Sequence, residues 1–190
     1  MKIPDNPISF GYKISWYAVK TSDNLAIKRL IKPNIRTMQC SWQEAMTNYY
    51  GFISPPINGW TLLIKKDFDQ NLLEKLSKMF GEAQFFGSHR ISDYYEYVKA
   101  IDGNIVRHVL ANGFVEKNIG ELSIIEMNCD FSTEAMYDVL YEQNKTYLLE
   151  QYEDFDEDFI IKMAAEWSVN PTTIDEIVEI NPSYVCVFCE

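Results

Sequence analysis

The stretch Ala83-Gln-Phe-Phe-Gly-Ser-His89, followed by Tyr94-Tyr-Glu-Tyr-Val-Lys-Ala-Ile101-Asp-Gly-Asn104-Ile-Val-Arg-His-Val-Leu110, decides the fold class. It reads as three successive strands over 83–89, 94–101 and 104–110. Asp102-Gly103 is the strongest hairpin signal in the chain, because a two-residue turn of the primed type needs positive φ at its centre. Strands joined this tightly are antiparallel.

Further strands are expected over 12–20, 52–54 and 60–64, with a last one from Tyr184. Pro55-Pro56-Ile57-Asn58-Gly59 between two of them reads as a rigid loop, with Trp60 either in the core or walling a pocket. Helix signals alternate with the strands. Ser22-Asp23 caps a helix bearing Leu25, Ile27, Leu30 and Ile31, which Pro33 ends. Ser41-Trp42-Gln43-Glu44 is a capping box opening a short helix through about Tyr49. Asp67-x-x-Gln70 starts a helix whose apolar residues Leu72, Leu73, Leu76, Met79 and Phe80 share a face, with Gly81 at its C-terminus. Past Asn128 the chain turns acidic and more helical. Asp130 or Ser132 caps one helix, and Asp156-Glu157-Asp158 leads another through Phe159, Ile160, Met163, Ala164 and Trp167. The expected class is α+β, a mostly antiparallel sheet with helices packed on it, in a single domain over 1–190 with a more helical acidic part from about 130.

Hydrophobic residues make up 47% and aromatics 14%, enough for a packed core. Asp and Glu number 28 against 17 Lys and Arg, a net charge of -11. Such a surface repels phosphate backbones and anionic lipid, so neither nucleic acid nor membrane is the expected partner, whereas a basic protein is steered in. The N-terminus carries no apolar run of signal-peptide length, and no run approaches the ~18 residues that span a bilayer. A cytoplasmic location is the expectation.

Both histidines stand beside an arginine, His89-Arg90 and Arg107-His108. With Asp102-Gly103 as a regular two-residue turn, Val98 pairs with Arg107 and Tyr97 with His108. Arg107 then lies diagonal to Glu96, and His108 falls on the opposite face; a bulge would change this. His89 shares a face with Phe85, Gly87 and Ile91. A histidine among aromatics is open to a shifted pKa, and equally to a purely structural role. His89, Arg90, Glu96, Arg107 and Trp60 are the candidate pocket residues. No catalytic motif accompanies them: there is no nucleophile elbow, phosphate loop or dinucleotide fingerprint. No catalytic residue, cofactor or metal is assigned. Cys186-Val-Phe-Cys189 has redox-like spacing but sits in a strand, where positions three apart face opposite sides.

Glu150 to Asp158 holds six acids in nine positions. Asp154-x-Asp156-x-Asp158 imitates the start of a calcium loop, yet Phe159 stands where glycine is needed and Ala165 where the last acid belongs. Acids at a helix N-terminus are favoured by its dipole. Glu153, Asp154, Asp156, Glu157 and Asp158 are the candidate surface for a basic partner.

Several blocks recur in a familiar order: Phe10-Gly-Tyr-Lys13; Trp16 with Ala18-Val19; Ser41-Trp42; Ile53-Ser-Pro-Pro56 with Gly59-Trp60; Phe80-Gly81; Phe86 with His89-Arg90; Asp102-Gly103 with Arg107; and Ala164 through Trp167-Ser-Val-Asn-Pro171-Thr. The chain resembles a family of small uncharacterised bacterial proteins sharing this order. The resemblance implies a bacterial globular domain and supplies no mechanism. Small acidic bacterial proteins of this kind often serve as immunity partners of secreted toxins, an analogy of class. The expected function is therefore a non-catalytic protein-binding module, with an immunity protein that occludes a basic toxin as its sharpest form. The alternatives are a small enzyme or ligand-binding domain with a pocket near the two His–Arg pairs, and a structural subunit of an assembly.

Overall fold

The computed structural model describes residues 3–31, 37–48, 51–150, 152–177 and 183–188. Among the described residues, nine strands form one sheet: β1 (Ser15–Val19), β2 (Thr37–Cys40), β3 (Gly51–Ile57), β4 (Trp60–Lys65), β5 (Glu82–His89), β6 (Tyr94–Ile101), β7 (Asn104–Asn112), β8 (Phe114–Ile119) and β9 (Val185–Phe188). Their spatial order is β2-β9-β3-β4-β1-β5-β6-β7-β8, and every named pair is antiparallel. The α+β class follows. β2 and β8 were not legible as strands. β2 is four residues long, and β8 is an edge strand carrying Glu116, Lys117 and Asn118, the polar content that keeps an edge from pairing further.

Among the described residues there are five α-helices, α1 (Asn24–Ile31), α2 (Trp42–Asn48), α3 (Gln70–Phe80), α4 (Glu134–Glu142) and α5 (Glu157–Trp167), and all but α4 pack on the sheet. Each has an oxygen at its first turn. Asp23 accepts from the Ala26 amide, Ser41 from Glu44, Asp69 from Leu72, Thr133 from Met136 and Asp156 from Phe159. The cap of α3 is thus Asp69 and not Asp67, and that of α4 is Thr133 and not Asp130 or Ser132. At α2 the distant Asp5 carboxylate adds a second cap, 2.6 Å from the Trp42 amide. Pro33, Tyr49 and Cys189 lie outside the described residues.

The strands alternate between two cores. Trp16, Leu62, Phe86, Tyr97 and Val109 face α2 and α5. Tyr17, Leu63, Phe85, Val98 and Ala100 face α1 and α3. Because both faces are covered, the central strands are apolar almost throughout, and alternation in them is weak.

Two irregularities depart from the sequence expectation. β3 continues through Pro55-Pro56 instead of ending in a loop. Its register shifts between Ile53 and Pro56, and β9 pairs only with Phe52 and Ile53, so the prolines lie in a bulge beyond the neighbouring strand. There the Ser54 hydroxyl accepts the Leu62 amide at 2.8 Å. The β6–β7 hairpin does turn at Asp102-Gly103, with φ of 49° and 86°. Ile101 pairs with Asn104 and Ala100 with Ile105, but Lys99 then pairs with Arg107. Val106 is the extra residue of a bulge, and every side chain beyond it changes face.

Candidate functional site

The bulge determines where the polar residues of β7 go. His108 lies on the α3 face, opposite Val98, with its Nε2 2.7 Å from Glu96 Oε1. Phe68 packs edge-on against its ring at 5.3 Å. The other Glu96 oxygen accepts from the Tyr94 hydroxyl. Burial pushes the Tyr94 hydroxyl pKa well up, and the Glu96 charge adds to it. Arg107 lies on the α5 face. Its Nε donates to Glu126 Oε1 at 2.6 Å, and one terminal nitrogen reaches Asn118 Oδ1 at 2.7 Å and the Ile119 carbonyl at 2.8 Å. Glu126 also accepts from the Tyr97 hydroxyl and the Ser123 amide. Burial alone would raise the Glu126 pKa, but these donors outweigh it and hold the carboxyl below its usual value. The Arg107–Glu126 pair is sealed, with side chains 4% and 0% exposed. It ties the segment after β8 to the sheet.

The expected Arg107–Glu96 contact is thus replaced by His108–Glu96 on one face and Arg107–Glu126 on the other. The five candidate pocket residues do not converge. Arg90 is exposed and pairs with Glu157 at 3.3 Å. Trp60 sits at the opposite end of the sheet, beneath the Lys20 ammonium at 5.8 Å. Arg107 is in the core. His89 is exposed, its Nδ1 3.0 Å from Ser92 Oγ, and it lines a cleft.

That cleft, of about 560 Å³, opens at one end of the central strands. Ile14, Ile64, Phe68 and Tyr94 supply apolar surface. Lys13, Lys66 and His89 supply the basic groups, with Asp67 at the rim and Ser15, Ser88 and Ser92 as hydroxyls.

On the other face of β6 runs a larger groove of about 950 Å³. Six carboxylates line it: Asp93, Asp130, Glu150, Glu153, Asp154 and Asp156. Tyr95, Phe114, Tyr137, Tyr152 and Phe155 stand among them, and among the described residues no Lys or Arg does. Asp156 is occupied as the cap of α5, Asp130 holds Ser132, and Glu153 pairs with Lys162 at 2.6 Å. The side-chain carboxylates of Asp93, Glu150 and Asp154 accept no hydrogen bond and form no ion pair among the described residues. Residues 128–158 carry ten acids against one lysine, a net -9 of the chain's -11. Of the five acids picked out in sequence, Glu153, Asp154 and Asp156 line the groove. Glu157 turns to Arg90, and Asp158 accepts from Tyr12 at 2.8 Å.

Sequence reasoning missed Glu126, Tyr94, Lys13 and Lys66. Glu126 had one signal, an acid set between Ile125 and Met127. The lysines had none, since only the packing of two separate loops, before β1 and after β4, brings them together. Among the described residues no three His, Cys, Asp or Glu side chains meet in metal-holding geometry, and no helix is long and apolar enough to cross a membrane. No family model, curated protein or solved structure matches the chain.

Proposed function

We propose that the chain is a non-catalytic binding protein that receives a basic segment of a partner protein in the acidic groove between β6–β7 and the 130–156 segment. The observation that carries this reading is the groove lining: six carboxylates interleaved with five aromatic rings, and no cation among the described lining residues. Carboxylates steer a basic chain inward and pair with it. Aromatic faces hold Lys or Arg by cation–π contact and serve as rigid anchors.

The flanking surface is apolar. α4 has no buried residue, and Met136, Val139 and Tyr141 are 53%, 51% and 68% exposed. Exposed apolar surface beside a charged groove is characteristic of an interaction site. An immunity protein that occludes a basic toxin in the cytoplasm fits these features, and the order of motifs resembling small bacterial proteins supports it by analogy.

The test is capture of a partner by the tagged chain from its native host, read by mass spectrometry over a salt series. A basic protein retained in near-equal amount and released by salt is expected. The Glu150→Lys/Asp154→Lys variant, altering two exposed groups without structural partners, loses it while keeping the thermal midpoint. Undiminished capture by that variant would defeat the reading.

A further inference from the structure

We propose that the cleft at the Lys13–His89 end of the sheet is a binding site for a small organic anion, a carboxylate or phosphate on an apolar body. Lys13, Lys66 and His89 receive the anion, and Ile14, Ile64 and Phe68 receive the body. The volume of about 560 Å³ falls in the range of small-molecule sites.

The charge runs against the rest of the molecule. Lys20, Lys99, Arg90, Arg107 and Lys162 each pair with a glutamate. The ammonium groups of Lys13 and Lys66 form no ion pair among the described residues, as is also true of Lys28, Lys75 and Lys78, but Lys13 and Lys66 line one cleft. The cleft contains one carboxylate, Asp67, against two lysines and a histidine, in a chain of net -11. Ser92 Oγ donates to the His89 carbonyl and so accepts from His89 Nδ1–H, and a proton on Nε2 gives the ring a second donor for the anion.

The backbone is specialised at the same place. Lys13 has a φ of 57°. A lysine in this left-handed region costs roughly 1 kcal/mol, and such strain gathers at binding sites. Its amide is tied at 3.3 Å to Ser88 Oγ, another lining group. Gly87 sits in β5 with an ordinary φ, so its role is space. A Cβ there would stand 2.9 Å from Ser15 Oγ and 3.2 Å from the Tyr94 ring. A glycine inside a strand marks close approach of neighbours; here it leaves Ser15, which has no side-chain partner among the described residues, beside the ring. The Tyr94 hydroxyl is committed to Glu96, which also holds His108, so Tyr94 offers its ring edge to the cleft.

None of the groups assigned to the ligand lines the acidic groove, so failure here leaves the partner-binding proposal standing. The experiment is an amide NMR titration of the full chain with phenyl phosphate, phenylacetate and phenol. One of the two anions is expected to give saturable shifts at Ser15, Gly87, Ser88 and His89; the tighter one identifies the head group. Phenol binds about tenfold more weakly or worse, the loss expected without a charge-assisted hydrogen bond. Lys13→Met/Lys66→Met, two exposed positions, weakens the anion by about tenfold or more and leaves the thermal midpoint in place. Equal binding of phenol, shifts confined elsewhere, undiminished binding by the double variant, or no shift with either anion would overturn the proposal.

Discussion

His108 Nε2 stands 2.7 Å from Glu96 Oε1 on the α3 face of the sheet, the face that a regular Asp102-Gly103 hairpin assigns to Arg107 instead. One inserted residue, Val106, makes the exchange. It brings the histidine to a buried carboxylate under Phe68 and sends the arginine to Glu126. Two buried polar clusters, one on each side of the sheet, follow from that bulge.

Glu96→Ala removes the partner of both His108 and the Tyr94 hydroxyl. Each buried polar group left unsatisfied costs about 1–3 kcal/mol. A loss of about 3 kcal/mol in urea unfolding is expected, with a smaller loss for Glu96→Gln, which keeps a hydrogen-bonding group in place.

Deletion of Val106 removes the bulge but leaves Lys99 opposite Arg107 and Val98 opposite His108, so both buried clusters keep their faces. Removing the guanidinium instead leaves Glu126 as a buried carboxylate without its cation, which is strongly destabilising. Arg107→Leu is expected to cost about 3 kcal/mol or more in urea unfolding, whereas Val106→Thr, at a 40% exposed position, is nearly neutral.

Gly120 has a φ of 91°, and a Cβ there would fall 2.0 Å from the carbonyl oxygen of Val106. The chain must pass this close to cover Arg107, whose guanidinium reaches the carbonyls of Ile119 and Gly120. Gly120→Ala is expected to cost more than 2 kcal/mol, since both backbone strain and overpacking act. Gly113→Ala, with φ of 80° but open space around its Cβ, costs about 1 kcal/mol. Paired denaturation curves check the order.

Glu82 and Glu126 both have lowered pKa values. Burial alone would raise that of Glu82, but Lys99 at 2.9 Å, with Gln84 and Lys20, outweighs it. A carboxyl depressed in the folded state stabilises the protein above its unfolded pKa, near 4.3 for glutamate. That contribution is lost as pH falls below this value and through the folded pKa. Stability is expected to decline as pH drops below about 4.3, and the decline should be shallower in Glu82→Gln and Glu126→Gln. Thermal midpoints measured from pH 6 to pH 3 test this.

The acidic groove owes its sign to composition and its shape to packing. That Glu153, Asp154 and Asp156 lie on a candidate surface was legible, because six acids in nine residues must be largely solvated. That Asp93, Tyr95 and Phe114 form the opposite wall was not, since these residues are 39 or more positions away along the chain. Glu157 and Asp158, equal to their neighbours in sequence, are turned by the pitch of α5 toward Arg90 and Tyr12.

Local signals alone determined the antiparallel class, the Asp102-Gly103 turn, α5 and its Asp156 cap, and the acidic character of the last third. Each depends on spacing within a few residues: φ at a turn, an oxygen before an apolar helix, like charges close together. Tertiary structure alone decided which face each His–Arg residue occupies, that Arg90 and Trp60 lie apart from His89, and that Lys13 and Lys66 meet across loops. A single bulged residue inverts a strand's faces without leaving a compositional mark, and the Gly120 that covers it from a different segment is placed by packing.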